Sequence, residues 1–191
     1  MKKLGGLGLD MMHRSCTVQA NFDYISELDM KKKIMVSAAL QPIVTGLFAN
    51  SPFLEGQLNG FQSYRGYVWT KTDNERTGIL RSMVGENFSF EEYVNYALKV
   101  PVYSIIRNGN YINCLDYNFE DLMNNKFHEI KAEEITLDDW TDHLSTIFTE
   151  VRLKTYIEMR GADAGSYRSL CALPAFWAGI LYCSDTLEES I

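Results

Sequence analysis

The chain has 191 residues, 46% hydrophobic and 23% charged, with a net charge of −7 and a pI near 5.0. This is ordinary globular composition, and a chain of this length can bury roughly 70% of its unfolded surface in one core. Acidity without a basic block argues against duplex nucleic acid or anionic membrane as partners, though not against a nucleotide, whose phosphates magnesium can bridge to carboxylates.

Residues 1–10 begin like a signal peptide, but glycines break the apolar run and Asp10 ends it, so cytoplasmic localisation is the expectation. No stretch approaches the ~20 apolar residues of a membrane span. Residues 16–23 alternate as a strand, with Thr17, Gln19, Asn21 and Asp23 on its polar face. Ser26 caps a helix running toward Asn50, with Asp29 in the capping-box position, and Pro42 should kink or divide it. A Gly- and polar-rich loop covers residues 51–63. Arg65 and Trp69 follow and share a face if that segment is helical, either as a site or as a surface cation–π pair.

Ser89 and Glu92 predict a helix to about Lys99, ended by Pro101. Asn108-Gly109, between residues 102–107 and 111–114, is a strong hairpin signal. Asn118 caps a short helix; Thr136 with Asp139 caps another, carrying Trp140, Leu144 and Phe148 on one stripe. Residues 151–160 then alternate as one strand. Val151, Leu153, Ile157 and Met159 take one side; Arg152, Lys154, Tyr156, Glu158 and Arg160 take the other. A Glu158 carboxylate beside an Arg160 guanidinium can hold a hard cation and a phosphate oxygen, or it can be a solvated ion pair. Ser166 caps the last long helix, which contains Pro174. The whole reads as one α+β domain, residues 1–191, with a largely antiparallel sheet.

Cys16, Cys114, Cys171 and Cys183 have no zinc-ligand spacing and are expected as thiols. His13, His128 and His143 are scattered without metal spacing, and Arg76 and Arg168 are isolated arginines.

Several unusual blocks occur in one order: Cys-Thr-Val-Gln (16–19), Ala-Leu-Gln-Pro-Ile (39–43), Leu-Phe-Ala-Asn-Ser-Pro-Phe (47–53) and Trp-Thr-Lys-Thr-Asp-Asn-Glu-Arg-Thr-Gly (69–78). Glu-Val-Arg-Leu-Lys (150–154), Glu-Met-Arg-Gly-Ala-Asp (158–163) and Leu-Cys-Ala-Leu-Pro-Ala-Phe-Trp (170–177) complete the set. Together they resemble glutamate–cysteine ligase of the plant and alphaproteobacterial type. The resemblance implies a glutamine-synthetase-like carboxylate–amine ligase fold, ATP and Mg2+ as cofactors, and L-glutamate and L-cysteine as substrates. It implies a reaction through an acyl phosphate, the first step of glutathione biosynthesis.

By the same resemblance Glu158 is expected as a Mg2+ ligand and Arg160 as the contact to the transferred phosphate. Arg65 is expected on the α-carboxylate of glutamate, with Trp69 lining that recess. Tyr103 falls at the cysteine end, and Thr17 and Gln19 touch glutamate or are simply a hydrogen-bonded strand face. Arg76 and Arg168 match family arginines. Cys171 matches a pairing cysteine whose partner is absent here, and is expected as a buried thiol. The redox hairpin of plant members keeps only Cys114, because residues 126–129 hold no cysteine.

Residues 1–15 supply no Glu-x-Glu strand. The chain is therefore expected to be the middle-to-late part of such a ligase, with an exposed sheet edge and a tendency to self-associate. The alternative is a non-catalytic glutamate-binding or partner-dependent fragment.

Overall fold

The glycines that interrupt the N-terminal apolar run do not keep it from folding, and Gly8–Arg14 is a helix (α1) closed by an Arg14–Asp10 ion pair one turn apart. The computed structural model describes residues 6–191, so the Lys2-Lys3 start behind the signal-peptide comparison lies outside the described residues. The contacts divide the chain into two units, Met1–Ser89 with Thr149–Ile191, and Phe90–Phe148.

In the first unit the strand expected over residues 16–23 is reduced to Ala20–Phe22 (β1), preceded by a single bridge between Thr17 and Asp163. The next helix, Glu27–Leu47 (α2), begins at Ser26, whose hydroxyl accepts from the Asp29 N–H at 3.1 Å. Pro42 does not divide it, and the 21-residue helix runs through. The polar stretch after it forms a short hairpin, Phe53–Leu54 (β2) with Gln57–Leu58 (β3), turning on Glu55 and Gly56 at positive φ. Tyr64–Trp69 (α3) and Thr77–Gly78 (β4) follow.

The second unit opens with Phe90–Lys99 (α4) and the hairpin Ser104–Arg107 (β5) with Asn110–Asn113 (β6). Asn108 (φ 51°) and Gly109 (φ 77°) both take the left-handed conformation that a two-residue hairpin turn needs. Phe119–Met123 (α5) and Leu137–Ser145 (α6) each start with a full capping box, Asn118/Asp121 and Thr136/Asp139. Val102, Ile105, Cys114, Phe119, Leu122, Phe127 and Ile130 make its core. His143 is buried there, stacked on Phe119 at 5.3 Å with Nε2 on the Ala97 carbonyl. The apolar stripe of α6 stops before Phe148, which lies in Phe148–Thr149 (β7).

The chain re-enters the first unit through Val151–Leu153 (β8) and Ile157–Met159 (β9), then Tyr167–Leu181 (α7) and Ser184–Glu189 (α8). The single strand expected over residues 151–160 is thus a hairpin, with β9 central in an antiparallel sheet ordered β1, β9, β8. A three-residue turn pairs Leu153 with Ile157 and Arg152 with Glu158. Partners share odd or even parity, so the alternation passes through the turn unbroken. Val151, Ile157 and Met159 are buried where α2 meets β8 and β9, while α7 covers β1 and adds Leu173, Trp177 and Leu181 to the core. The architecture is α+β, as expected, and its antiparallel pairing is distributed over small sheets. No described helix is long and apolar enough to cross a membrane.

Cys114 is buried, which pushes its thiol pKa up. Cys171, expected buried, is exposed, because Leu173 and Trp177 take the core-facing side of α7.

Candidate functional site

The charged face of the β8–β9 hairpin is not solvated. Arg152, Glu158 and Arg160 are only 7%, 5% and 8% exposed, so the solvated-ion-pair reading fails. Cross-strand register sets Arg152 opposite Glu158, and Arg160 follows two residues on, just beyond β9. Glu158 Oε2 receives Arg152 Nε at 2.7 Å and Nη2 at 2.6 Å, and Arg160 Nη1 at 2.8 Å. With its amide oriented to satisfy both neighbours, Gln19 donates to Glu158 Oε1 (3.2 Å) and accepts from Arg160 Nη1 (2.8 Å). Burial pushes the Glu158 carboxyl pKa up, but the hydrogen bonds and charges of Arg160 and Arg152 outweigh it and hold it below the usual value. Burial, with the neighbouring Arg152 charge, lowers that of Arg160, while Glu158 and Glu150 pull it back.

The backbone after β9 is pinned from several elements. The Arg160 N–H donates to the Glu150 carbonyl (2.9 Å), and the Arg160 carbonyl accepts Arg65 Nη2 at 2.6 Å. Thr17 Oγ1 lies 3.2 Å from that same carbonyl and 2.7 Å from the Ala162 carbonyl, and Thr45 Oγ1 donates to the Gly161 carbonyl (3.3 Å). Asp163, 2% exposed, accepts the Asn50 N–H and the hydroxyls of Ser51 and Ser63 at 2.7–2.9 Å. Ser51 and Ser63 also hold α3, through the Arg65 and Gly66 N–H groups.

Arg65 and Trp69 sit one turn apart on α3, the guanidinium 5.7 Å from the ring centroid. Arg65 is 3% exposed, and its Nε and Nη1 have no hydrogen-bond acceptor. Burial lowers its pKa, against the opposing charges of Glu150 and Asp163, yet a guanidinium stays charged at neutral pH. Glu150 joins these groups from just before β8, its carboxyl pushed up by burial and its Oε2 buried without a donor. Two unused donors on a buried guanidinium are matched chemically by a carboxylate ligand.

Glu158, Arg160, Arg65, Trp69, Thr17 and Gln19 are all in the first unit, linked by the contacts above. Tyr103 belongs to the second, just ahead of β5, where its carbonyl accepts the Cys114 N–H (3.2 Å). Arg76 is fully buried and held by Asp73 at 2.6 Å, whereas Arg168 and His13 are exposed. Sequence reasoning assigned no role to Glu150, Gln41 or Asp163, although all three lie inside the blocks singled out above. Glu158, the residue expected as a metal ligand, has its Oε2 already bearing two guanidinium groups. Among the described residues no three His, Cys, Asp or Glu side chains form a metal-holding group.

The family model described as glutamate-cysteine ligase family 2 matches residues 1–190. A Solanum lycopersicum protein named glutamate–cysteine ligase, chloroplastic, is 56% identical over 99% of this chain and 36% of its own length. Glutamate–cysteine ligase B, chloroplastic, of Oryza sativa subsp. japonica is 55% identical over 99% of the chain and 38% of its own length. The Arabidopsis thaliana protein of the same type is 54% identical over 98% and 36%. The chain therefore spans about a third of the length of these relatives. Their names overturn the expected cytoplasmic localisation, since they point to a plastid.

Proposed function

The chain belongs to glutamate-cysteine ligase family 2, and from that membership we propose that it carries the glutamate and phosphoryl end of an ATP-dependent carboxylate–amine ligase. The reaction joins the γ-carboxylate of L-glutamate to the amino group of L-cysteine and opens glutathione biosynthesis. The observation that carries this reading is the Arg65 guanidinium, buried, with two unused donors, and hydrogen-bonded to the backbone of Arg160.

A carboxylate is a poor electrophile, and phosphorylation by ATP turns its oxygen into a leaving group that an amine can displace. Arg65 orients glutamate through its α-carboxylate beside Trp69. The Arg160 guanidinium, its Nη1 fixed by Glu158, meets the charge that develops on the migrating phosphoryl group. Positioning of the two reactants supplies much of the acceleration. Glu158 is the residue we assign to Mg2+, through Oε1. One oxygen makes no complete site for the ion. Tyr103 is assigned to the cysteine end, Thr17 and Gln19 to glutamate, and both units to one catalytic domain of the glutamine-synthetase-like fold. Self-association is assigned to the outer edges of β1 and β8.

The test is ADP release by the purified chain with ATP and Mg2+, with and without glutamate plus cysteine, beside Arg65→Ala and Arg160→Ala. Amino-acid-dependent turnover lost in both variants supports the reading. A second reading is a glutamate-binding module without turnover. That reading requires glutamate binding independent of ATP and Mg2+ and sensitive to Arg65→Ala. Neither turnover nor binding removes both.

A further inference from the structure

The second unit carries the net charge of the whole chain. Phe90–Phe148 holds eleven acidic and four basic residues, net −7, whereas the rest of the chain balances fourteen against fourteen. Three of those four cations are already committed, Arg107 to Asp139 (2.6 Å), Lys126 to Asp121 (2.7 Å) and Lys131 to Glu133 (4.0 Å). Within the same unit lies a hollow of about 450 Å³, lined by none of the residues assigned to the ligase reaction. Its walls are apolar pairs one turn apart on three helices: Val94 and Leu98 on α4, Phe119 and Met123 on α5, Leu137 and Trp140 on α6. Phe119 is buried and meets the Trp140 ring edge-on at 4.8 Å, which gives the hollow an aromatic floor. Leu137 is 82% exposed, Met123 53% and Val94 42%. Apolar side chains scattered singly over a surface are ordinary, but three that line one hollow with Trp140 form a surface that gains by being covered.

The charges set beside these positions are of one sign. Glu91 stands one turn ahead of Val94, Glu120 one turn ahead of Met123, and Asp138 next to Leu137, all three exposed. We propose that the hollow is the docking site of a basic amphipathic helix of a partner protein. The helix seats two or three apolar side chains, spaced i, i+3 or i+4, between α4, α5 and α6, and sets Lys or Arg against Glu91, Glu120 and Asp138. A small molecule finds little to orient it, because no charged residue lines the hollow and Thr136 offers its single hydroxyl. A second copy would bring the same −7 unit, and like charges across an interface oppose association. Nor does the first unit supply a basic face, since in its Lys31-Lys32-Lys33 run Lys32 is held by Glu188 and Lys33 is buried on Asp29. A basic partner cancels charge that the second unit otherwise bears alone, and the apolar anchors set its register.

The experiment titrates the full 191-residue chain into a fluorescein-labelled synthetic peptide of Leu and Lys, with Leu at i, i+3, i+4 and i+7 so that the helix has one apolar face, and follows anisotropy. One control peptide has the same residues reordered to destroy that face, and another has Glu in place of Lys. The Leu/Lys helix should bind about tenfold or more tightly than either control. Leu137→Ser with Met123→Ser, both at exposed positions, should weaken it by roughly 10- to 100-fold through the loss of apolar anchors. Glu120→Gln with Asp138→Asn should weaken it roughly 2- to 20-fold at low salt, a difference that high salt removes. This acidic pair keeps the test decisive if the apolar double variant does not fold. Equal binding of the reordered peptide or of the Glu peptide overturns the site, as does an affinity unchanged in Leu137→Ser/Met123→Ser or no binding of the Leu/Lys helix. A sedimenting mass that rises with chain concentration, and returns to monomer in the apolar variant, makes a second copy the occupant and overturns the partner helix.

Discussion

Replacing Glu158 by Gln should be among the most damaging conservative changes in the first unit. The carboxylate is 5% exposed, and its Oε2 takes three guanidinium N–H groups at 2.6–2.8 Å. Gln keeps the shape but turns an acceptor into an amide and takes from the buried Arg152 and Arg160 the carboxylate they both bond. Breaking a buried pair from one side costs about 3–5 kcal/mol. For a chain of this size each kcal/mol moves Tm by about 2–4 °C, which gives a fall of about 6–20 °C. The control is Arg152→Met. It removes one of the two guanidinium groups bonded to Glu158 and keeps the Glu158–Arg160 pair, so its cost should be about half or less. Urea and thermal melts followed by fluorescence of the buried Trp177 report this unit. A Glu158→Gln variant within about 1 kcal/mol of the parent, or an Arg152→Met variant worse than it, would refute the buried-cluster account.

Gly161→Ala pushes a methyl to 2.1 Å from Gln41 Nε2 and 2.4 Å from Glu150 Oε2, and should cost about 1–3 kcal/mol by chemical denaturation. Gly179→Ala in α7 meets nothing within 4 Å and should stabilise by up to ~1 kcal/mol, so equal effects at the two glycines would contradict the packing described. In the second unit Arg107 grips Asp139 at 2.6 and 2.7 Å, while Asp139 also closes the Thr136 capping box. Asp139→Asn should cost about 1–3 kcal/mol, read from the fluorescence of Trp140. The two site glutamates should titrate with opposite sign. Glu158 is lowered in the folded chain, so its stabilisation is present above its unfolded value of about 4.5 and disappears as pH falls through the folded value. Acid unfolding should therefore be shallower in Glu158→Gln. Glu150 is raised, so its contribution is present below the unfolded value and is lost as pH rises through the folded one. The Tm difference between Glu150→Gln and the parent should grow from acid toward neutral pH.

Much of the local structure was legible because it is set by residues adjacent in sequence. The caps at Ser26, Asn118, Thr136 and Ser166 and the Asn108-Gly109 turn all form as read. The hairpin inside residues 151–160 was not, and the reason is geometrical. Its turn, Lys154-Thr155-Tyr156, contains no Gly, Pro, Asn or Asp, and an odd number of turn residues preserves the alternation that defines a strand. The same feature concealed the ion cluster, because Arg152 looks like a distant neighbour of Glu158 along one strand and is its cross-strand partner in the fold. Sequence spacing also read that face as exposed or ligand-bearing, whereas burial arises from α2, α3 and the residues around Thr17 packing over the hairpin end, which no local pattern records.

The Glu158 cluster and Arg65 share one piece of backbone, and this ties the two ends of the proposed reaction together. Arg160 offers its side chain to Glu158 and its carbonyl to Arg65, so the group assigned to phosphate and the group assigned to carboxylate are joined through a single residue. A carboxylate that draws Arg65 toward itself must compete with the 2.6 Å bond to that carbonyl or strengthen the alignment that already exists. Pinning of the same segment by Glu150, Thr17 and Thr45 makes the second outcome the expected one, because the acceptor cannot follow a displaced guanidinium. The donors left at Nε and Nη1 are then the part of Arg65 available to a ligand, while Nη2 serves the scaffold. Arg65→Lys, with a single ammonium, cannot divide itself in this way. It should lose both the ligand contact and the brace on Arg160, so its defect should exceed that of a variant that removes the ligand contact alone.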